Sequence, residues 1–189
     1  MDIKLQLIIG FSYLYGFVEL VMGFVQKRRG TVTKSSDKGS IWLLIGCIAL
    51  GYISSFMIGF TTIGRVYHWD IFFAIGAAMV VIGSFIRVNA ILTLKHHFTY
   101  TVTNVENHEL IETGLYKYLR HPGYLGQILI FTGVATGLSN WLSITLMFVF
   151  VMIGFSYRIQ VEEKFLVAEM GEKYINYQKR TKRLFFGIY

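Results

Sequence analysis

The stretch Gly114-Leu115-Tyr116-Lys117-Tyr118-Leu119-Arg120-His121-Pro122-Gly123-Tyr124 concentrates reactive groups as no other part of this chain does. It sets two cations, an imidazole, three phenols and the sole proline at the start of an apolar segment. Pro122 suits the first position of a helix, where a missing N–H is no loss. The free backbone N–H groups of such a start, together with the helix dipole, favour a carboxylate or phosphate. Arg120 stands beside that start, and His121 and Tyr124 add side-chain donors. Tyr116 and Tyr118 present phenol faces suited to a cation or an aromatic base. A ligand carrying both a carboxylate and an onium centre would use all of these features. The plainer reading is a basic interfacial anchor with Pro122 opening a helix.

A second polar group, Arg158 with Glu162 and Glu163, follows the next apolar segment. Arg158 and Glu162 are four residues apart and share a helix face. In a soluble helix such a pair is worth only about 0.2–0.5 kcal/mol. At the mouth of a membrane hairpin, next to the His121 segment, it gains chemical interest.

The elements that must position these groups are membrane helices. The chain has 189 residues, 54% of them hydrophobic and 15% charged. Soluble domains carry about 25% charged residues, so the excess apolar surface here has to face lipid. One integral-membrane domain, 1–189, is the expected unit. The single Cys47 excludes an internal disulfide and suits a small packing residue. A spanning helix needs about 20 mostly apolar residues. The apolar segments run over about 3–25, 40–63, 70–94 and 141–159, with a shorter one at 123–138. The chain is therefore expected to be an all-α polytopic membrane protein with about five transmembrane helices. A cofactor-binding loop and an amphipathic helical tail complete it. The brief Ser139-Asn140 connection makes the last two helices a tight hairpin. The first segment lacks a basic leading region and ends in Gln26-Lys27-Arg28-Arg29, so it reads as a retained helix rather than a cleaved signal.

Lys and Arg in short loops set orientation. Lys27, Arg28, Arg29, Lys34 and Lys38 lie in the first loop; Lys95, Lys117 and Arg120 in the third; six more in the tail. The other side holds Lys4 and Arg65. This places the N-terminus outside and the tail and polar loop in the cytoplasm. The formal charge of +7 is mainly this topology signal, with attraction to anionic membrane lipids added. Spread over separate loops, it argues against nucleic-acid binding.

Ionisable groups inside spans are expensive and draw notice. Glu19 and Arg87 each lie about 10–12 Å from the cytoplasmic end of their helix at a rise of about 1.5 Å per residue, so they can pair at one depth. Gln127 and Arg158 occupy the same half. His96, His97, His108 and His121 match no metal-ligand spacing, and no metal is expected. Gly133-Val-Ala-Thr-Gly137 permits close helix approach, which reads as packing of the last hairpin. In the tail, Val161, Phe165 and Ala168 repeat at helical spacing until Gly171.

Over roughly its last hundred residues the chain resembles the isoprenylcysteine carboxyl methyltransferase and phospholipid methyltransferase superfamily of integral-membrane enzymes. The likeness rests on Arg87-x-x-Ala90-x-x-Thr93-Leu94-x-x-x-Phe98, His108-Glu109-Leu110-Ile111-x-x-Gly114-Leu115-Tyr116 and Arg120-His121-Pro122-x-Tyr124-x-Gly126. Arg158-x-x-x-Glu162-Glu163 and Gly171-x-x-Tyr174-x-x-Tyr177 extend it into the tail. The resemblance implies an enzyme that moves a methyl group from S-adenosyl-L-methionine to an acceptor. Its cofactor would be held by His108, Glu109, Leu110 and Ile111, by Tyr116, by Arg120 with the His-Pro-x-Tyr run (His121, Pro122, Gly123, Tyr124) and by Glu162, within 95–126 and 158–180. Arg158 would lie near the acceptor, and the tail would cover the cofactor. The acceptor would be lipophilic and enter from the bilayer. The segment 99–107 holds no glutamine, which leaves one cofactor contact of the family without a counterpart.

A carboxylate acceptor is already ionised at pH 7 and needs positioning by Arg158 rather than a base. An amine would need Glu162 or Glu163 to take a proton; a thiol would need its pKa lowered, which Arg158 can do. The favoured expectation is carboxyl O-methylation of a prenylcysteine-type acid. Phospholipid amine or small-thiol methylation is the alternative. A small transporter, or a scaffold binding headgroups through basic loops, leaves the His-Pro-x-Tyr and Arg-x-x-x-Glu groups without a role.

Overall fold

The computed structural model describes residues 3–28, 39–94 and 110–184, with backbone alone for 22–28. It is all-α. Among the described residues the helices are α1 (Ile3–Arg28), α2 (Ser40–Gly59), α3 (Trp69–Leu94), α4 (Pro122–Gly137), α5 (Trp141–Met170) and α6 (Glu172–Arg180), with a 3-10 turn at Gly114–Lys117 before α4. Among the described residues β-structure is limited to two isolated bridges, Arg65–Asn140 and Leu119–Lys182.

Among the described residues four helices, α1, α2, α3 and α5, contain stretches long and apolar enough to cross a membrane. Their outer faces carry large apolar side chains such as Trp42, Met57 and Phe85, as lipid contact requires. The chain is an integral membrane protein by this pattern. At 16 residues, α4 reaches about 24 Å at 1.5 Å per residue, short of the roughly 30 Å hydrocarbon core. It has little need to reach further, because nearly all its residues except Tyr124 and Leu129 are buried by other helices.

The closest helix contact is α3 against α4, and it is made backbone to backbone. Gly76 and Gly83 on α3 face Gly133 and Gly126 on α4. A Cβ on Gly76 would sit 2.5 Å from the Gly133 carbonyl oxygen, and one on Gly83 2.6 Å from that of Gly126. Each pair is seven residues apart, so both glycines stay on one face. The small-residue pattern thus serves α3, not the last hairpin as its spacing suggested. Against α5, α4 presents larger side chains: Leu125, Ile128, Phe131 and Ala135 form one core with Met147, Val151, Phe155 and Ile159.

At the end of the bundle opposite the His-Pro segment, Asn140 organises the turns. Its Oδ1 accepts from the Leu142 and Ser143 amides at 3.0 and 3.1 Å, capping α5. Its Nδ2 donates to the carbonyls of Ile58 and Ile63. Arg65 donates to the Gly59 and Leu138 carbonyls. These bonds draw 60–63 off the helical path, so α2 stops at Gly59 rather than near 63. Further down, Ser55 and Ser143 each donate a hydroxyl to the other's carbonyl, at 3.0 and 2.7 Å. That exchange fixes the register of α2 against α5. The first helix is held more sparsely, through Ile8 against Gly137, a Lys4–Asp70 ion pair and an edge-on contact of Tyr15 with Phe131.

Candidate functional site

His121 is the N-cap of α4 and Pro122 occupies its first turn, as the proline's position implied. Arg87 lies beneath this start: a Cβ on Gly123 would come within 3.1 Å of its Nη1. Glu19 holds Arg87 with two bonds, at 3.0 and 3.1 Å, and Tyr15 donates to Glu19 at 2.8 Å. The two intramembrane charges therefore neutralise each other, as their equal depth predicted. Without Glu19 a guanidinium only 4% exposed would keep its charge in an apolar setting.

The exit of α5 meets the start of α4 at Tyr124. The phenol donates to Glu162 Oε2 at 2.7 Å and accepts a long bond, 3.4 Å, from Arg158 Nε. Arg158 Nη1 donates to Ser40 Oγ at 2.5 Å. His121 stacks on Tyr124 with ring centroids 5.5 Å apart, and its Nδ1 lies 3.9 Å from Glu162 Oε2. Arg158 is fully enclosed, whereas the Glu162 side chain is 29% exposed. The Tyr116 phenol is buried nearby. Burial first, then the Glu162 carboxylate, push its pKa well above the ordinary phenol range, so it stays neutral. Tyr174 on α6 behaves alike, for burial and the Glu163 and Glu162 charges.

Glu163, one residue on, is the centre of a separate knot. Its Oε1 accepts from Arg120 Nε at 2.6 Å and lies 3.3 Å from His121 Nε2. Its Oε2 accepts from Arg183 Nε at 3.0 Å. Arg120 also donates to the carbonyls of Gln178 and Thr181. The backbone follows: the amides of Arg120 and His121 donate to the carbonyls of Lys182 and Arg183, and the Lys182 amide to Tyr118. Tyr177 donates its hydroxyl to the Tyr116 carbonyl at 2.6 Å. Leu184 is fully buried in the core with Leu119 and Ile159. Gly171, at φ 55°, makes the turn from α5 into α6 that lays the tail along 116–121.

Of the residues singled out from sequence, Tyr116, Arg120, His121, Pro122, Gly123, Tyr124, Arg158, Glu162 and Glu163 are brought together at one end of the bundle. Leu110 and Ile111 are half-buried and lie outside regular secondary structure. His108 and Glu109 lie outside the described residues. Arg120 and Glu163 spend their polar atoms on each other, on His121 and on the tail. Sequence reasoning passed over Ser40 and Arg183. The first is 118 positions from Arg158, with nothing in its surroundings to mark it. The second is one of several basic tail residues that look alike. Among the described residues no three His, Cys, Asp or Glu side chains are placed to hold a metal.

A profile of the isoprenylcysteine carboxyl methyltransferase (ICMT) family matches residues 75–168, which carry most of α3, all of α4 and most of α5. A protein-S-isoprenylcysteine O-methyltransferase of Saccharomyces cerevisiae is 37% identical over 110 residues, 57% of this chain and 46% of its own length. Protein-S-isoprenylcysteine O-methyltransferase B of Arabidopsis thaliana is 33% identical over 120 residues, 62% of this chain and 60% of its own. The chain thus spans about half of the curated relatives it matches. A solved structure of the eukaryotic intramembrane Ras methyltransferase ICMT superposes with a TM-score of 0.62 and 27% identity, covering 71% of this chain and 50% of that one. The helical bundle thus has a counterpart among solved structures, and residues 75–168 of the chain match the isoprenylcysteine carboxyl methyltransferase family.

Proposed function

We propose that this chain is an S-adenosylmethionine-dependent membrane methyltransferase that O-methylates the carboxylate of a lipophilic, prenylcysteine-type acceptor. The observation that carries the reading is the meeting of Arg158, Tyr124 and Glu162 where α4 begins and α5 leaves the bundle. The named activities of the relatives support it, as does the membrane setting.

The donor set suits the proposed cofactor. A carboxylate suits the helix start at His121–Tyr124. A cationic centre suits the partly exposed Glu162 and the neutral phenols of Tyr116 and Tyr174. His108, Glu109, Leu110 and Ile111 would complete the holding residues. Bound there, S-adenosylmethionine supplies an electrophilic methyl on a sulfonium. This chain's own task is then to align the acceptor and exclude water. Alignment alone can supply a large part of a displacement's rate. Arg158, enclosed and fixed at two nitrogens, pairs with an acceptor carboxylate that is ionised at pH 7. No general base is required. Tyr124, donating to Glu162, keeps that carboxylate aimed at the helix start. The tail, fastened by Glu163, closes the site from water, which makes fixed dipoles count for more. The acceptor enters from the bilayer, and the N-terminus lies outside with the tail in the cytoplasm.

The test is incubation of the detergent-purified chain with methyl-labelled S-adenosylmethionine and separate pools of total lipid, a synthetic S-prenylcysteine and small thiols. Base-labile label on the prenylcysteine is the expected result. Base-stable label in lipid amines or thiols, or no label at all, would overturn the reading.

A further inference from the structure

We propose that Ser40, at the start of α2, is a positioning residue for Arg158 and so for the acceptor; the inference rests on the function proposed above. A guanidinium is planar and rotates as a unit about its stem, so two anchors on different nitrogens fix its plane. Here one anchor is Tyr124 on α4, at 3.4 Å from Nε. A second is Ser40 on α2, at 2.5 Å from Nη1. The first bond is near the outer limit of the interaction, and the second is short. Of these two anchors, Ser40 holds the guanidinium more closely. Both partners are enclosed, Ser40 at 0% and Arg158 at 1% exposure, where a hydrogen bond to a charge is stronger than in water.

The register of the helices explains why Ser40 arrives there. Ser40 lies fifteen residues before Ser55, and Arg158 fifteen after Ser143. The reciprocal Ser55–Ser143 bonds lock the antiparallel pair at one level. An equal rise of about 22 Å along each helix, at 1.5 Å per residue, then sets Ser40 opposite Arg158. Close approach at Gly51 and Gly154 keeps the helices together between the two levels. A helix outside the family-matched segment 75–168 thus reaches into the acceptor end of the site.

The experiment compares wild type, Ser40→Ala and Ser40→Thr, full length in detergent, with S-adenosylmethionine and a synthetic S-prenylcysteine. Ser40→Ala is expected to lower kcat/KM for the acceptor about tenfold, the scale of one lost bond to a charged group. Cofactor affinity by calorimetry and the melting temperature stay near wild type. Ser40→Thr keeps the hydroxyl and restores most of the activity. In an Arg158→Ala background, Ser40→Ala adds nothing further, because the group it positions is gone. Should Ser40→Ala fail to fold, Ser40→Cys, with a weaker acceptor of similar size, falls in the same direction. Undiminished acceptor kinetics in Ser40→Ala would overturn the inference. So would a parallel loss of acceptor kinetics, cofactor affinity and melting temperature, which is the mark of a structural role. A wild-type chain that methylates no acceptor fails at the earlier step, and there the proposed function itself falls.

Discussion

Glu162 and Glu163 are neighbours on one turn of α5, yet they serve two different parts of the molecule. Glu162 points to Tyr124 and keeps 29% of its side chain exposed. Glu163 is 4% exposed and holds Arg120, Arg183 and His121 at once. A buried carboxylate surrounded by cations is set up to hold structure, since its partners would be stranded without it. A carboxylate hydrogen-bonded to a phenol and open to solvent can still take a ligand. Adjacent identical residues thus divide the work: Glu163 ties the tail down, and Glu162, bonded to Tyr124, stays partly exposed. His121 lies between them, 3.3 Å from one and 3.9 Å from the other, and links the two jobs.

The contrast can be broken by mutation. Glu163→Ala leaves Arg120 enclosed without its carboxylate, and a loss of about 3 kcal/mol in unfolding free energy is expected, read by denaturant or thermal unfolding in detergent. If stability were kept and only turnover fell, Glu163 would belong with the reacting groups instead. Arg158→Ala should cut turnover about 100-fold, the scale of losing alignment at a reacting centre. Calorimetry should find cofactor affinity close to wild type; an equal loss of both would remove Arg158 from the acceptor side. Glu162→Gln should weaken cofactor binding about tenfold with little change in melting temperature, the mirror image of Glu163→Ala. Tyr177→Phe removes one hydroxyl bond between tail and loop and should cost about 1 kcal/mol. A destabilisation as large as that of Glu163→Ala would mean that the tail hangs on its tyrosines rather than on the carboxylate.

What could be read in advance follows from how local each signal is. Apolar run lengths marked α1, α2, α3 and α5, and the Ser139-Asn140 break marked the hairpin, because each depends on residues close in sequence. The meeting of the two polar clusters was legible for the same reason. Both lie at the ends of neighbouring helices, and one hairpin suffices to join them. The Glu19–Arg87 pair was readable from depth alone. Gly133 and Gly137 announced a close contact but not with whom; that choice belongs to Gly76, about sixty residues away in sequence. Ser40 carried no signal because its meaning comes from the α2–α5 register, a property of two helices together. The division between Glu162 and Glu163 was equally hidden, since it depends on where Arg183 returns after the Gly171 turn.

The most direct measurement is ultraviolet crosslinking of labelled S-adenosylmethionine to the purified chain, with the adducts mapped to peptides. Label on the Tyr116–Tyr124 segment and on the tail around Tyr174, displaced by excess S-adenosylhomocysteine, is the expected result. Label that resists displacement, or that falls at the opposite end of the bundle around Asn140, would contradict a cofactor site where α4 starts and α5 leaves.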